Sequence, residues 1–289
     1  MRDGGEMKLC RFQDSNGAVR AGLLVGDNAV ADLSAGGVDS LTEILEDADG
    51  VARVEAMGDL PSVSLADVTL FTPVERQEVW AAGVTYLRSK KARMEESDFS
   101  ANAYDLVYDA PRPEIFFKSL PEKIVHPGEA VGIRADATWN VPEPELTLVI
   151  NSRKELVGVS IGNDMSSRDI EGENLLYLPQ AKMYERACAV GPCIVAGTDE
   201  AAIREWTIGV EILRDGETVF GGETSIGNIK RSFDELLDYL GRSQSFPHGA
   251  MLLTGTGVVP DDDFTLAAGD IVRITVSGIG TLENPVAVV

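Results

Sequence analysis

Two carboxylates stand one residue apart in Trp139-Asn140-Val141-Pro142-Glu143-Pro144-Glu145, directly ahead of the apolar run Leu146-Thr147-Leu148-Val149-Ile150. The apolar end reads as a strand. Pro142 and Pro144 fix φ and disfavour helix before them, so the extended backbone reaches back to Glu143, and the side chains of Glu143 and Glu145 share one face. Proline has no N–H to give to a central ladder, which places this end of the strand at an edge or a mouth. Ser152 to Glu155 reads as a turn and Leu156 to Asp164 as the returning strand. A turn centred between Arg153 and Lys154 pairs positions whose numbers sum to 307, and on that register Glu143 faces Asp164. Three acids so close raise one another's pKa unless a divalent cation neutralises them. Oxygen donors without histidine or cysteine suit Mg²⁺ or Mn²⁺, in an octahedron with positions left open for substrate.

Other chemistries find less support. Gly158-Val159-Ser160-Ile161-Gly162 has the spacing of a serine nucleophile elbow, but the following Asn163-Asp164-Met165-Ser166-Ser167 lacks the apolar helical period an elbow requires. Neither G-x-G-x-x-G nor a P-loop occurs, so no dinucleotide or nucleoside triphosphate site is indicated. Cys10, Cys188 and Cys193 form no C-x-x-C pair, and His126 and His248 are the only histidines, which argues against structural zinc and a disulfide framework. With 25 Lys plus Arg against 47 Asp plus Glu, the formal net charge is −22. Such a surface repels phosphate backbones and anionic lipid, so neither nucleic acid nor membrane is expected as a partner. The N-terminus carries no apolar signal core and no stretch approaches bilayer length, so a cytoplasmic location is expected. The acid excess fits an ordinary bacterial enzyme or a high-salt host.

The elements that must position the acids are mostly strands. Met7 to Phe12 and Ala18 to Val25 form a small meander around the Ser15-Asn16-Gly17 turn, and Ser40 with Glu43 makes a capping box for a short helix, followed by a second helix ending near Gly58. Leu60-Pro61 and Phe71-Thr72-Pro73 bracket a polar connection, which sets a boundary near residue 70. Further strands are expected at Glu78 to Ala82, Glu114 to Lys118, Leu146 to Asn151, Val157 to Gly162, Thr207 to Arg214, Thr218 to Phe220 and Ile271 to Val276. Helices are few: Tyr86 to Glu96, Asp199 to Trp206, and Ser232 to Leu240 behind a Ser232/Glu235 capping box. Strands and helices do not alternate at βαβ spacing, so a doubly wound sheet is not expected. The fold class is α+β and mostly β: a small N-terminal α+β domain over 1–70, then a catalytic mixed β-roll or barrel domain over 71–289.

Gly83-Val84-Thr85-Tyr86, Phe117-Lys118-Ser119, the Glu143/Glu145/Asp164 set, Gln180-Ala181-Lys182, Thr254-Gly255-Thr256-Gly257 and the closing run Gly278 to Val286 occur in this order. Together they resemble the fumarylacetoacetate hydrolase family and its C-terminal fold, over about two-thirds of the chain. The resemblance implies Mg²⁺, with Mn²⁺ an alternative, on Glu143, Glu145 and Asp164. It implies substrate contacts from Tyr86, Arg88, Lys118, Ser119, Gln180 and Thr256, and assembly as a homodimer or homotetramer. Members that hydrolyse carbon–carbon bonds carry a histidine shortly after the tyrosine, whereas Leu87 to Ser97 here contains none. The segments Tyr86 to Ser89, Ala92 to Ser97, Val107-Tyr108-Asp109, Pro113 to Lys118 and Glu171 to Lys182 resemble instead the branch containing 2-keto-3-deoxy-D-arabinonate dehydratase. That branch implies a Mg-dependent hydro-lyase of pentose catabolism, converting a 2-keto-3-deoxy pentonate to 2,5-dioxopentanoate. In it Lys182 is the expected proton carrier. Glu114 is either a fourth metal ligand or the acid that assists loss of hydroxyl. The rivals are hydrolysis or decarboxylation of another 2-oxo acid, with His248 a stand-in for the missing histidine, and a noncatalytic 2-oxo acid binder.

Overall fold

The computed structural model describes residues 6–86 and 106–289. Arg88 and, beyond Tyr86, the helix expected to Glu96 lie outside the described residues. Met7–Gln13 (β1), Val19–Val25 (β2) and Ala29–Asp32 (β3) form the N-terminal meander, and Leu41–Glu46 (α1) and Gly50–Glu55 (α2) pack beside it. Ser62–Ser64 (β4), Thr69–Phe71 (β5), Glu78–Gly83 (β6), Glu114–Ser119 (β7), Val131–Ile133 (β8) and Asn140–Val141 (β9) follow. Pro144–Ile150 (β10) and Leu156–Asp164 (β11) make the acid-bearing hairpin, and Ser166–Ser167 (β12), Arg168–Glu173 (α3) and Leu178–Lys182 (α4) lead to Cys188–Ala196 (β13). The remainder comprises Glu200–Arg204 (α5), Thr207–Arg214 (β14), Glu217–Ser225 (β15), Phe233–Gly241 (α6), Ala250–Leu253 (β16), Ile271–Val276 (β17) and Gly280–Val288 (β18).

An eleven-stranded sheet runs β4-β3-β2-β1-β13-β11-β10-β16-β6-β7, with β5 also paired to β1, and a five-stranded sheet runs β15-β14-β17-β18-β8. The architecture is mostly β and mixed, since β16 pairs β6 in parallel while β10 pairs β11 and β16 in antiparallel. Every residue of β10 and of β13 is buried, as expected for strands covered on both faces. Leu146, Leu148 and Ile150 enter one apolar core, and Val149 joins Leu9, Ile44 and Met251 in the other.

The hairpin keeps the register of the sequence reading. Pro144 pairs Asn163, Glu145 pairs Gly162, and the Asp164 N–H donates to the Glu143 carbonyl at 3.0 Å. Only near the turn, between Val149 and Ile150, does a bulge shift it. The α6 cap forms as its sequence implies, the Glu235 N–H donating to Ser232 Oγ at 3.1 Å. At α1 the expected box is replaced: Ser40 Oγ accepts the Thr42 N–H at 3.1 Å rather than that of Glu43, and Glu75 arrives from outside the helix to accept the N–H groups of Leu41 and Thr42.

The large sheet must curl. Lys118 on β7 lies 2.5 Å from Asp164 on β11, although β7 and β11 are four places apart in the strand order. In a flat sheet four spacings would separate them by roughly 19 Å, far beyond the reach of a lysine side chain. The contact therefore shows that this part of the sheet curls, with Lys118 and Asp164 on its concave side.

Candidate active site

The strand directions explain why the chemistry gathers at one end. Because β10 runs against β11 and β16, β16 runs with β6, and β6 runs against β7, the same sheet edge carries five termini. They are the start of β10 (Glu143, Glu145), the ends of β11 (Asp164) and β6 (Gly83), the start of β7 (Glu114), and the residues after β16 (Gly255, Thr256). These residues and Lys182 line a narrow cavity that opens to solvent. Two glycines make room. A Cβ on Gly83 would lie 2.0 Å from Glu114 Oε2, its cross-strand neighbour. Gly255, at φ +89°, has no space for a side chain beside Thr85, and its N–H reaches Glu145 Oε2 at 2.6 Å.

Glu143, Glu145 and Asp164 place one oxygen each within 4.8 Å of one another, the only such acid, cysteine or histidine cluster among the described residues. They are 4, 2 and 2% exposed, so water does not screen their mutual repulsion. Burial, and then the charges of Asp164 and Glu143, push the Glu145 carboxyl well above the usual carboxylate range. Three buried cations answer them. Lys182 Nζ donates to Glu143 Oε2 at 2.7 Å and to Asp164 Oδ2 at 2.9 Å. Arg168 holds the other oxygen of Glu143 at 2.8 Å, and Lys118 pairs with Asp164 Oδ1 by charge, without hydrogen-bond alignment. The set fits a hard divalent cation. All its donors are carboxylate oxygens, and Arg168, Lys118 and the Gly255 N–H orient them from outside.

Of the residues singled out in the sequence, the structure brings Glu143, Glu145, Asp164, Lys182, Glu114 and Thr256 into the cavity wall. Lys118 lies behind it, fully buried, with Nζ donating to the Met165 carbonyl at 3.0 Å and also to the Lys182 carbonyl. Tyr86 is buried against Gly257, and burial raises its phenol above the usual tyrosine range. Ser119 donates to the Leu120 carbonyl, and Gln180 is exposed on α4, so neither side chain lines the cavity. Sequence reasoning passed over Arg168 and Glu171, both buried, of which Glu171 faces the cavity. Their three-residue spacing just after Asp164, one face of a helical turn, was the available signal.

The family model for the fumarylacetoacetate (FAA) hydrolase C-terminal region matches residues 78–287. The chain belongs to the fumarylacetoacetate hydrolase family. This family member is 47% identical over 266 residues to a probable 2-keto-3-deoxyxylonate dehydratase of Haloferax volcanii, covering 91% of this chain and 88% of that one. It is 39% identical over 241 residues to the 2-dehydro-3-deoxy-D-arabinonate dehydratase of Saccharolobus solfataricus, covering 82% and 81%. A solved 2-keto-3-deoxy-D-arabinonate dehydratase, complexed with magnesium and 2,5-dioxopentanoate, matches at TM-score 0.81 and 32% identity over 98% of this chain and 99% of that one.

Proposed function

We propose that this family member is a magnesium-dependent hydro-lyase that converts a 2-keto-3-deoxy pentonate to 2,5-dioxopentanoate and water. The observation that carries the reading is the buried Glu143/Glu145/Asp164 set with Lys182 and Glu114 in one cavity, in a chain so similar to two dehydratases. When bound at the three carboxylates, a magnesium ion polarises the C2 ketone of a 2-oxo acid and acidifies its C3 hydrogens.

The chain's own groups then divide the work. Lys182 takes a proton from C3, and Glu114 gives a proton to the departing C4 hydroxyl, so that water leaves and a C3–C4 double bond forms. Movement of a proton from C5 to C3 shifts that bond to C4–C5, and the resulting enol tautomerises to the C5 aldehyde. Thr256 and the glycine amides beside it hold the substrate carboxylate. No step adds water, consistent with the absence of histidine from Leu87 to Ser97. Catabolism of pentose-derived acids in the cytoplasm, by a homodimer or homotetramer, completes the reading.

The test is a panel of 2-keto-3-deoxy pentonates and hexonates with Mg²⁺, following semialdehyde formation, with an acylpyruvate alongside. Dehydration of at least one pentonate is expected. Faster hydrolysis of the acylpyruvate than dehydration of any panel member overturns the assignment.

A further inference from the structure

The cation that bridges two of the three metal-binding carboxylates is a side chain of the protein itself. Lys182 Nζ is 2.7 Å from Glu143 Oε2 and 2.9 Å from Asp164 Oδ2, and the lysine is 2% exposed. Mg²⁺ sits about 2.1 Å from its oxygen ligands. Suppose an ammonium and Mg²⁺ shared that oxygen pair from opposite sides, with the oxygens about 3 Å apart. Their centres would still be less than about 4 Å from each other, a +1 beside a +2 charge among side chains that water barely reaches.

We infer that Lys182 and the divalent ion exchange: the lysine serves as the internal counter-cation of the empty carboxylate set, and metal binding drives Nζ off Glu143 and Asp164 into the substrate cavity. Metal entry and release of the catalytic amine are then one event, so the amine is delivered only when the carboxylates are loaded. The surroundings suit such a swing. Lys118 holds the Lys182 carbonyl and so fixes the main chain at the pivot, while Phe116 lines the cavity 6.0 Å from Nζ. Arg168 and Lys118 occupy the outer oxygens, Glu143 Oε1 and Asp164 Oδ1, and keep the carboxylates oriented after Nζ has left.

This inference rests on the metal-dependent reading above, and calorimetry separates the two. Mn²⁺ is titrated into EDTA-stripped wild type, Lys182→Met and Lys182→Arg. Exchange requires Lys182→Met to bind Mn²⁺ roughly tenfold or more tighter than wild type, since two charge-assisted hydrogen bonds no longer compete, and Lys182→Arg to show no gain. Saturable binding that is equal or weaker in Lys182→Met overturns the exchange alone, and no binding by any of the three proteins overturns the metal reading itself. Should Lys182→Met fail to fold, wild type is labelled with acetic anhydride and the acetylation rate at Lys182 is read by mass spectrometry. Faster labelling with Mn²⁺ than with EDTA supports the exchange, and equal or slower labelling overturns it.

Discussion

Gly83→Ala isolates the placement of one carboxylate. An ideal Cβ at residue 83 would lie 2.0 Å from Glu114 Oε2 and 2.7 Å from its Cδ, whereas ordinary contact begins at 3.4 Å. The carboxylate must therefore retreat by roughly 1.4 Å, the gap between 2.0 and 3.4 Å. Glu114 is the far end of a flexible side chain and the backbone of β6 is not left-handed at Gly83, so the strand accommodates the methyl and the side chain moves. A misplacement of about 1 Å in a reacting group costs on the order of 10²-fold in rate, or about 2.7 kcal/mol of activation free energy. Metal affinity should be unchanged, because Glu114 is not in the carboxylate cluster, and stability should move little, since alanine restricts the unfolded chain. The assay is steady-state dehydration with Mg²⁺, set beside Mn²⁺ calorimetry and thermal melting. A wild-type kcat in a folded Gly83→Ala protein would refute proton delivery by Glu114 from this position.

Glu145→Gln should abolish detectable turnover and weaken Mn²⁺ binding, yet melt no lower than wild type in EDTA. An amide oxygen still accepts the Gly255 N–H, and one of three clustered charges is gone. Lys118→Met should lower stability by about 3–5 kcal/mol in urea unfolding, because it removes one of the three cations that face three buried carboxylates and leaves two carbonyls without their donor. EDTA should stop dehydration and Mg²⁺ or Mn²⁺ restore it, while borohydride with substrate should trap no adduct on Lys118 or Lys182. A reduced adduct on either lysine by mass spectrometry, with activity persisting in EDTA, would move the electron sink from the carboxylates to an imine.

What the sequence disclosed and what it hid follow from the range of the interactions. The Glu143, Glu145 and Asp164 convergence was legible because alternation along a strand and pairing across a short turn are local rules, and the register needed only the centre of the turn. The cap on α1 was half legible, since Ser40 acts on the next turn whereas Glu75 arrives from 33 residues away. β13 was not expected as a strand: Gly191-Pro192 reads as a break, yet it falls where the pairing with β11 shifts, the kind of irregularity that tolerates proline. The position of Lys118 behind the carboxylates depends on the curl of the sheet, to which no local pattern points. Arg168 and Glu171 sit on a helix of six residues, where one three-residue spacing is all the period that can show.

The first strand has a bearing on how the molecule can be cut. Met7, Lys8 and Leu9 of β1 are laddered to Ala196, Val195 and Ile194 of β13, and β13 in turn flanks the acid-bearing β11. A truncated chain beginning at residue 71 would keep every carboxylate but strip the outer rim of a wholly buried strand. It would bare peptide groups and aliphatic side chains that stick to other polypeptides. Such a fragment should precipitate rather than serve as a smaller enzyme, and a tag or fusion partner belongs ahead of residue 7, outside the ladder.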